Sequence, residues 1–331
     1  MTNILKSALA MAALIAAGAH ASGLPTYRVT LVTDAGLRVS CSALNARGEV
    51  AGMAVTNPRA EYGYDAVVVS HGHVHSYGYS HGALAAEAAG INAARTTVGH
   101  VITDQAFGFK APTAWSADGR MKRLSDSGEA YAVNEAGDFV GWSLIGGGDS
   151  TATMWADGAA VNLAPALDYS EAYAINGHRQ AVGAYYAKSH WSAVLFEGGA
   201  VIPLGTLGGS SAQAFAINEA GHIVGGSSLA GGGPDHAFLY ADGAMRDLGA
   251  PAGRDSTAVG INASDVVVGY SSDSKHPLAL VWIDGVVHVL DDLLDAKSGA
   301  GWRLVSANAI NDAGQICADG NKGAALLTPM P

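Results

Sequence analysis

One phrase recurs seven times along this chain of 331 residues. It reads SALNARGEVAG from Ser42, AGINAARTTVG from Ala89, YAVNEAGDFVG from Tyr131 and YAINGHRQAVG from Tyr173. It returns as FAINEAGHIVG from Phe215, VGINASDVVVG from Val259 and NAINDAGQICA from Asn308. The register is marked by Asn45, Asn92, Asn134, Asn176, Asn218, Asn262 and Asn311, spaced 47, 42, 42, 42, 44 and 49 residues apart. A period of this size indicates a propeller or a solenoid, because each unit is one small sheet that buries its faces only against its neighbours.

Each unit carries four short β signals. Small and large residues alternate before the Asn, as in Ala172-Tyr173-Ala174-Ile175, the pattern of a strand packed on both faces. The Asn then opens a tight turn through its side chain, and a Gly three residues later takes the left-handed conformation, as at Gly48, Gly137, Gly221 and Gly314. Turn formation accounts for the Asn. Arg95, Arg179 and Asp265 replace that Gly elsewhere, which predicts strained or differently shaped turns. A second Gly follows the Asn by seven residues in six units (Gly52, Gly99, Gly141, Gly183, Gly225, Gly269) and predicts close backbone approach between blades. The third strand is apolar and aromatic, and hairpins such as Asp157-Gly158 and Asp242-Gly243 lead to a fourth.

The chain ends decide between an open solenoid and a closed ring. After Asn311 there is room for three strands only. Arg28 to Leu31 lie at the same offset before Asn45 that Met245 to Leu248 hold before Asn262, so an N-terminal strand can complete the last unit and remove the sheet edges. The expected fold is an all-β, seven-bladed β-propeller of four-stranded blades.

These phrases resemble the HAF family of extracellular repeat proteins. The nearest match runs through AFAINEAGHIVGGSS, HAFLYADG and MRDLG between Ala214 and Gly249, preceded by PLGTLGGSS from Pro203. The resemblance spans the chain after the N-terminal segment and is most specific in the middle units. It implies export and a repeated β architecture, and it brings no catalytic residues and no ligand.

The N-terminus agrees with export. Lys6, the apolar stretch Ala8 to Ala17 and the small-x-small Ala19-His20-Ala21 read as a signal peptide over residues 1–21, cleaved after Ala21. The remainder, 22–331, reads as a single propeller domain with a periplasmic or secreted location. No later run approaches the about 18 apolar residues of a membrane span. The formal net charge is −11, and loss of Lys6 makes it −12, so phosphate backbones are repelled and nucleic acid is an unfavourable partner. Cys41 and Cys317, the only cysteines, leave both a disulfide and two buried thiols open.

Candidate sites follow from the topology. Short repetitive turns gather on one face of the ring and long irregular connections on the other, where recognition is expected. The latter include 57–64, 186–191, 231–236, 272–277 and 293–303, and the candidate contacts are Arg59, Tyr62, Tyr64, Tyr169, Lys188, His190, Arg254, Lys275 and His276. Five residues before each Asn stand Ser40, Glu87, Glu129, Glu171, Gln213, Thr257 and Ser306. Three consecutive blades thus place Glu87, Glu129 and Glu171 at one height near the channel mouth, a candidate cation-binding or acid–base cluster, with a divalent cation as the cofactor it suggests. His71, His73, His75 and His81 read as solvated histidines of an outer strand. No G-x-S-x-G, H-E-x-x-H or P-loop occurs. The leading functional reading is a monomeric extracytoplasmic binding module for a protein, glycan or small ligand. The alternative is a secreted propeller enzyme, a hydrolase or lyase acting on a polysaccharide.

Overall fold

The computed structural model describes residues 23–33, 36–56, 63–78, 83–103, 109–144, 149–272 and 275–331. The proposed signal segment 1–21, Arg59, Tyr62 and His81 lie outside these residues. Blade 1 is β2 (Val39–Leu44), β3 (Val50–Val55), β4 (Tyr64–Ser70) and β5 (His73–Ser76). Blade 2 is β6 (Ala85–Ile91), β7 (Thr97–Ile102), β8 (Lys110–Trp115) and β9 (Met121–Arg123). Blade 3 is β10 (Gly128–Val133), β11 (Phe139–Ser143), β12 (Thr151–Ala156) and β13 (Ala159–Asn162). Blade 4 is β14 (Tyr169–Ile175), β15 (Ala181–Ala187), β16 (His190–Glu197) and β17 (Ala200–Gly205). Blade 5 is β18 (Gly208–Ile217), β19 (Ile223–Leu229), β20 (His236–Ala241) and β21 (Ala244–Gly249). Blade 6 is β22 (Thr257–Ile261), β23 (Val267–Ser271), β24 (Leu278–Ile283) and β25 (Val286–Val289). Blade 7 joins β26 (Leu304–Ile310), β27 (Ile316–Gly320) and β28 (Gly323–Pro329) to β1 (Tyr27–Leu31), which pairs antiparallel with β28. The fold is the expected seven-bladed propeller, closed by the N-terminal strand.

The repeated Asn does more than form a turn. Each Oδ1 accepts a hydrogen bond from the backbone N–H four residues on, as Asp138 N–H donates to Asn134 at 2.9 Å. Each Nδ2 also donates to the backbone carbonyl of the next blade's Asn. The series runs from Asn45 to Asn92 and so on to Asn311, which donates back to Asn45, with every distance between 3.0 and 3.3 Å. All seven side chains are buried.

The Gly seven residues after the Asn serves within a blade, which corrects the expectation of contact between blades. A Cβ at Gly183 would stand 1.9 Å from the Glu171 carbonyl oxygen of the adjacent strand in the same sheet. The inner strand carries a β-bulge here in every blade, for example between Ala172 and Ala174. Arg95, Arg179 and Asp265 do adopt the left-handed conformation, with φ of 62°, 60° and 58°. Each reaches a neighbouring blade: Arg95 to Glu49 at 2.8 Å, Arg179 to Asp138 at 2.8 Å, and Asp265 to His222 at 2.8 Å. The strain of about 1 kcal/mol per such residue is set against an inter-blade contact that glycine cannot make.

Between blades, Trp115, Trp155, Phe196, Tyr240 and Trp282 occupy one register position on the third strand, opposite Thr97, Phe139, Ala181, Ile223 and Val267. Each packs against the preceding blade. Truncation of such a ring typically costs about 3–5 kcal/mol. Val69 and Leu327 hold this position in blades 1 and 7. Among the described residues no helix is long and apolar enough to cross a membrane.

Cys41 of β2 and Cys317 of β27 are disulfide-bonded across the seam between blades 1 and 7, with Cα atoms 6.2 Å apart. The same seam holds Asn308, which donates to the Cys41 carbonyl at 2.8 Å and to Asp319 at 2.8 Å.

Two measurements test these constraints. Asn134→Ala leaves the buried Asn176 carbonyl without its donor and is expected to lower the unfolding free energy by about 2–4 kcal/mol in chemical denaturation. An unchanged midpoint would show that the ring is dispensable. Alkylation of the unreduced protein is expected to add no mass, and reduction to destabilise it by as much as about 5 kcal/mol, since the bond closes a loop of 276 residues. Two labelled thiols before reduction would overturn the staple.

Candidate functional site

Antiparallel order puts the start of each inner strand, and hence Glu87, Glu129 and Glu171, on the face of the long connections. The bulged residue two positions further along the same strand is Tyr131, Tyr173 or Phe215 in blades 3 to 5. These three rings form a continuous row, with centroids 5.5 and 5.3 Å apart. At the same bulge the other four blades carry Ser42, Ala89, Val259 and Asn308. The channel therefore has one aromatic, acidic wall and one wall of smaller groups.

Glu87 and Glu129 flank one imidazole. His100, directly across the ladder from Glu87, brings Nε2 to 4.0 Å from Glu87 and Nδ1 to 3.4 Å from Glu129. Lys110 places its ammonium 3.0 Å from Glu129. His100 is buried, and burial together with the Lys110 ammonium pushes its pKa down to about 3, so the ring is neutral. Its Nε2 has no hydrogen-bond partner among the described residues. Burial raises the Glu87 carboxyl above the ordinary range; Lys110 opposes this and Glu129 adds to it.

Glu171 sits in a relay. Tyr131 donates to it at 3.3 Å while accepting from Trp142 Nε1 at 3.1 Å. Tyr173 donates to the same carboxylate and accepts from Gln213 at 3.2 Å. Burial raises the Glu171 carboxyl, and the two tyrosine hydroxyls hold it back. Burial likewise raises the Tyr131 and Tyr173 hydroxyls, which remain donors.

The three glutamates thus face one mouth, but as an ion-pair and hydrogen-bond cluster. Among the described residues no three His, Cys, Asp or Glu side chains form a set able to hold a metal ion. At Glu129 a counter-charge comes from within the chain, from the Lys110 ammonium. His73 and His75 are exposed on β5.

The loop contacts divide. Tyr169 opens β14, 47% exposed, and its hydroxyl donates to Asp149. Tyr64 opens β4 and is half-buried. The stretch 186–191 is no irregular loop. It is a tight hairpin between β15 and β16, with Lys188 and Ser189 at φ of 51° and 68°, so His190 is a strand residue. Arg254 is engaged within blade 6, donating to Ser271 at 3.1 Å and to the His276 carbonyl, so it pins its own loop. Lys275 and His276 are exposed on the connection between β23 and β24 of blade 6. His100, Lys110 and Trp142 were not anticipated. Two of them had a signal, because His100 and Trp142 directly follow the repeated Gly99 and Gly141.

No family model matches the sequence, and no curated protein matches it. Solved structures match the shape. The likeness is to propellers. The β-propeller domain of the trilobed protease from Pyrococcus furiosus aligns at TM-score 0.56 and 9% identity, covering 85% of this chain and 90% of that one. That domain has an open velcro topology, whereas here β1 completes the last blade. The acylaminoacyl peptidase of Pyrococcus horikoshii aligns at TM-score 0.51 and 12% identity, over 88% of this chain and 50% of that one. TolB from Acinetobacter baumannii aligns at TM-score 0.49 and 11% identity, over 85% of this chain and 63% of that one. At these identities the likeness establishes the fold alone.

The raised Glu87 carboxyl has a measurable consequence. The folded state binds this proton more tightly than the unfolded chain, so its contribution falls as pH rises above the ordinary value of 4.5. Glu87→Gln is expected to raise the melting temperature at pH 7 by about 1–2 °C and to leave it unchanged near pH 4, where the wild-type carboxyl is protonated in both states. Equal shifts at both pH values would remove the carboxylate from the account.

Proposed function

We propose that this chain is an exported binding module of the HAF-repeat kind, which takes a glycan at the channel mouth over blades 2 to 4. One coincidence carries the reading. The sector that holds Glu87, Glu129 and Glu171 also exposes Leu144, Tyr169 and Tyr186, at 45%, 47% and 44%, from the same face. Scattered apolar exposure is ordinary, but apolar groups on the same face as half-buried, oriented acceptors are the composition of a ligand site. Carboxylates accept from sugar hydroxyls, and Tyr131, Tyr173 and Phe215 offer rings beside them. The N-terminal segment and the disulfide support an extracytoplasmic location, where such a bond persists.

The raised carboxyls of Glu87 and Glu171 support a second reading, a secreted enzyme in which one of them acts as a proton donor on a polysaccharide. A glycan and peptide array on residues 22–331, run beside a hydrolase and lyase screen, separates the two. The expected result is glycan retention without turnover, lost in Glu129→Gln/Glu171→Gln and weakened by Tyr169→Ala. Retention unaffected by either variant would reject the mouth as the site.

A further inference from the structure

The third-strand aromatic that fills five of the inter-blade spaces is missing at two, and only one of these is refilled by other groups. Trp115, Trp155, Phe196, Tyr240 and Trp282 seal the interfaces preceding blades 2 to 6. Before blade 7, Leu327 is joined by Leu290 and Leu293 of a 3-10 turn and by Tyr27. Before blade 1 the position is Val69, and no comparable group is added. The fourth strand facing it ends in Val32, where blades 2 and 3 use Leu124 and Leu163 with the same backbone hydrogen bond. Both of these smaller residues line a cleft of about 670 Å³ that opens at the seam.

The floor of this cleft is apolar, with Val50, Val69 and Leu326, while its rim carries Arg47, His71 and His73. No Asp or Glu lines it, although the chain has a net charge of −11. The Arg47 guanidinium makes no ion pair or hydrogen bond among the described residues. Volume, apolar floor and a few convergent polar groups are the attributes of a small-molecule pocket. A planar ring suits the slot between two sheets, as the indoles at the other interfaces show, and the cationic rim suits a carboxylate.

We propose that the cleft between blades 7 and 1 binds a small aromatic carboxylate, its ring in the place of the absent indole and its carboxylate at Arg47. The site lies on the face of the short turns, remote from Glu87, Glu129 and Glu171, and does not depend on the reading of the channel mouth.

The test uses indole-3-acetate and uncharged indole as probes, followed by calorimetry and ligand-observed NMR. Wild type is expected to bind indole-3-acetate saturably, with Kd below about 1 mM. Val69→Trp, which fills the cleft with the residue of its neighbours, is expected to weaken both probes at least about tenfold. Arg47→Gln is expected to weaken indole-3-acetate about fivefold or more and to leave indole unchanged. Should Val69→Trp fail to fold, Val69→Phe gives the same comparison with a smaller ring. Absence of saturable binding to wild type, or equal binding by the filled variant, would overturn the proposal. Equal loss of both probes in Arg47→Gln would refute the carboxylate contact.

Discussion

The structure depends on a hydrogen-bonded ring that closes on itself. In each blade one Asn shapes its own turn with its side-chain oxygen and holds the next blade with its side-chain nitrogen. The amide is well suited because it carries an acceptor and two donors on a short, stiff side chain. Four of the seven spend the second hydrogen on the residue four positions on: Glu49, Asp138, Gln180 and Gln315. Ala would leave a buried carbonyl unpaired and Asp would oppose one oxygen to another, so the ring rejects the nearest replacements.

Ring closure places its burden on one seam. Six blades are each made of consecutive strands, whereas blade 7 is assembled from both ends of the chain. That blade holds β1 by a five-residue ladder, and the disulfide ties it to blade 1. At this seam the third-strand aromatic is replaced by Val69 and a cleft opens, so the chain is covalently closed beside a gap in its packing. At other interfaces the left-handed residues add contacts on the turn face, ion pairs from Arg95 and Arg179 and a hydrogen bond between Asp265 and His222.

Asymmetry imposed on a symmetric frame creates the candidate site. Every blade offers the same backbone position at the channel mouth, and three adjacent ones fill it with Glu. Their effect arises from the neighbouring blade: Glu129 meets His100 and Lys110 of blade 2, and Glu171 meets Tyr131 of blade 3. Half-burial then raises Glu87 and Glu171 while the relay of Trp142, Tyr131, Tyr173 and Gln213 fixes Glu171 in place.

Much of this was legible in the chain itself, because a repeat converts sequence spacing into geometry. The blade number, the strand order, the closing role of β1 and the shared height of Glu87, Glu129 and Glu171 follow from offsets counted from the Asn. Local chemistry was legible too: the Asn turn and the left-handed residue after it need only their own few bonds. Contacts between blades were not, since their partners lie about 20 to 40 or more residues apart and the offsets do not say which way a side chain points. Tertiary structure alone decided that the Asn amide reaches the next blade and that Gly183 yields to a carbonyl of its own sheet. It also decided that Lys110 supplies a counter-charge to Glu129, and that Val69 leaves a cleft. Spacing determines where along a blade a residue stands; which groups meet is determined by how the blades pack.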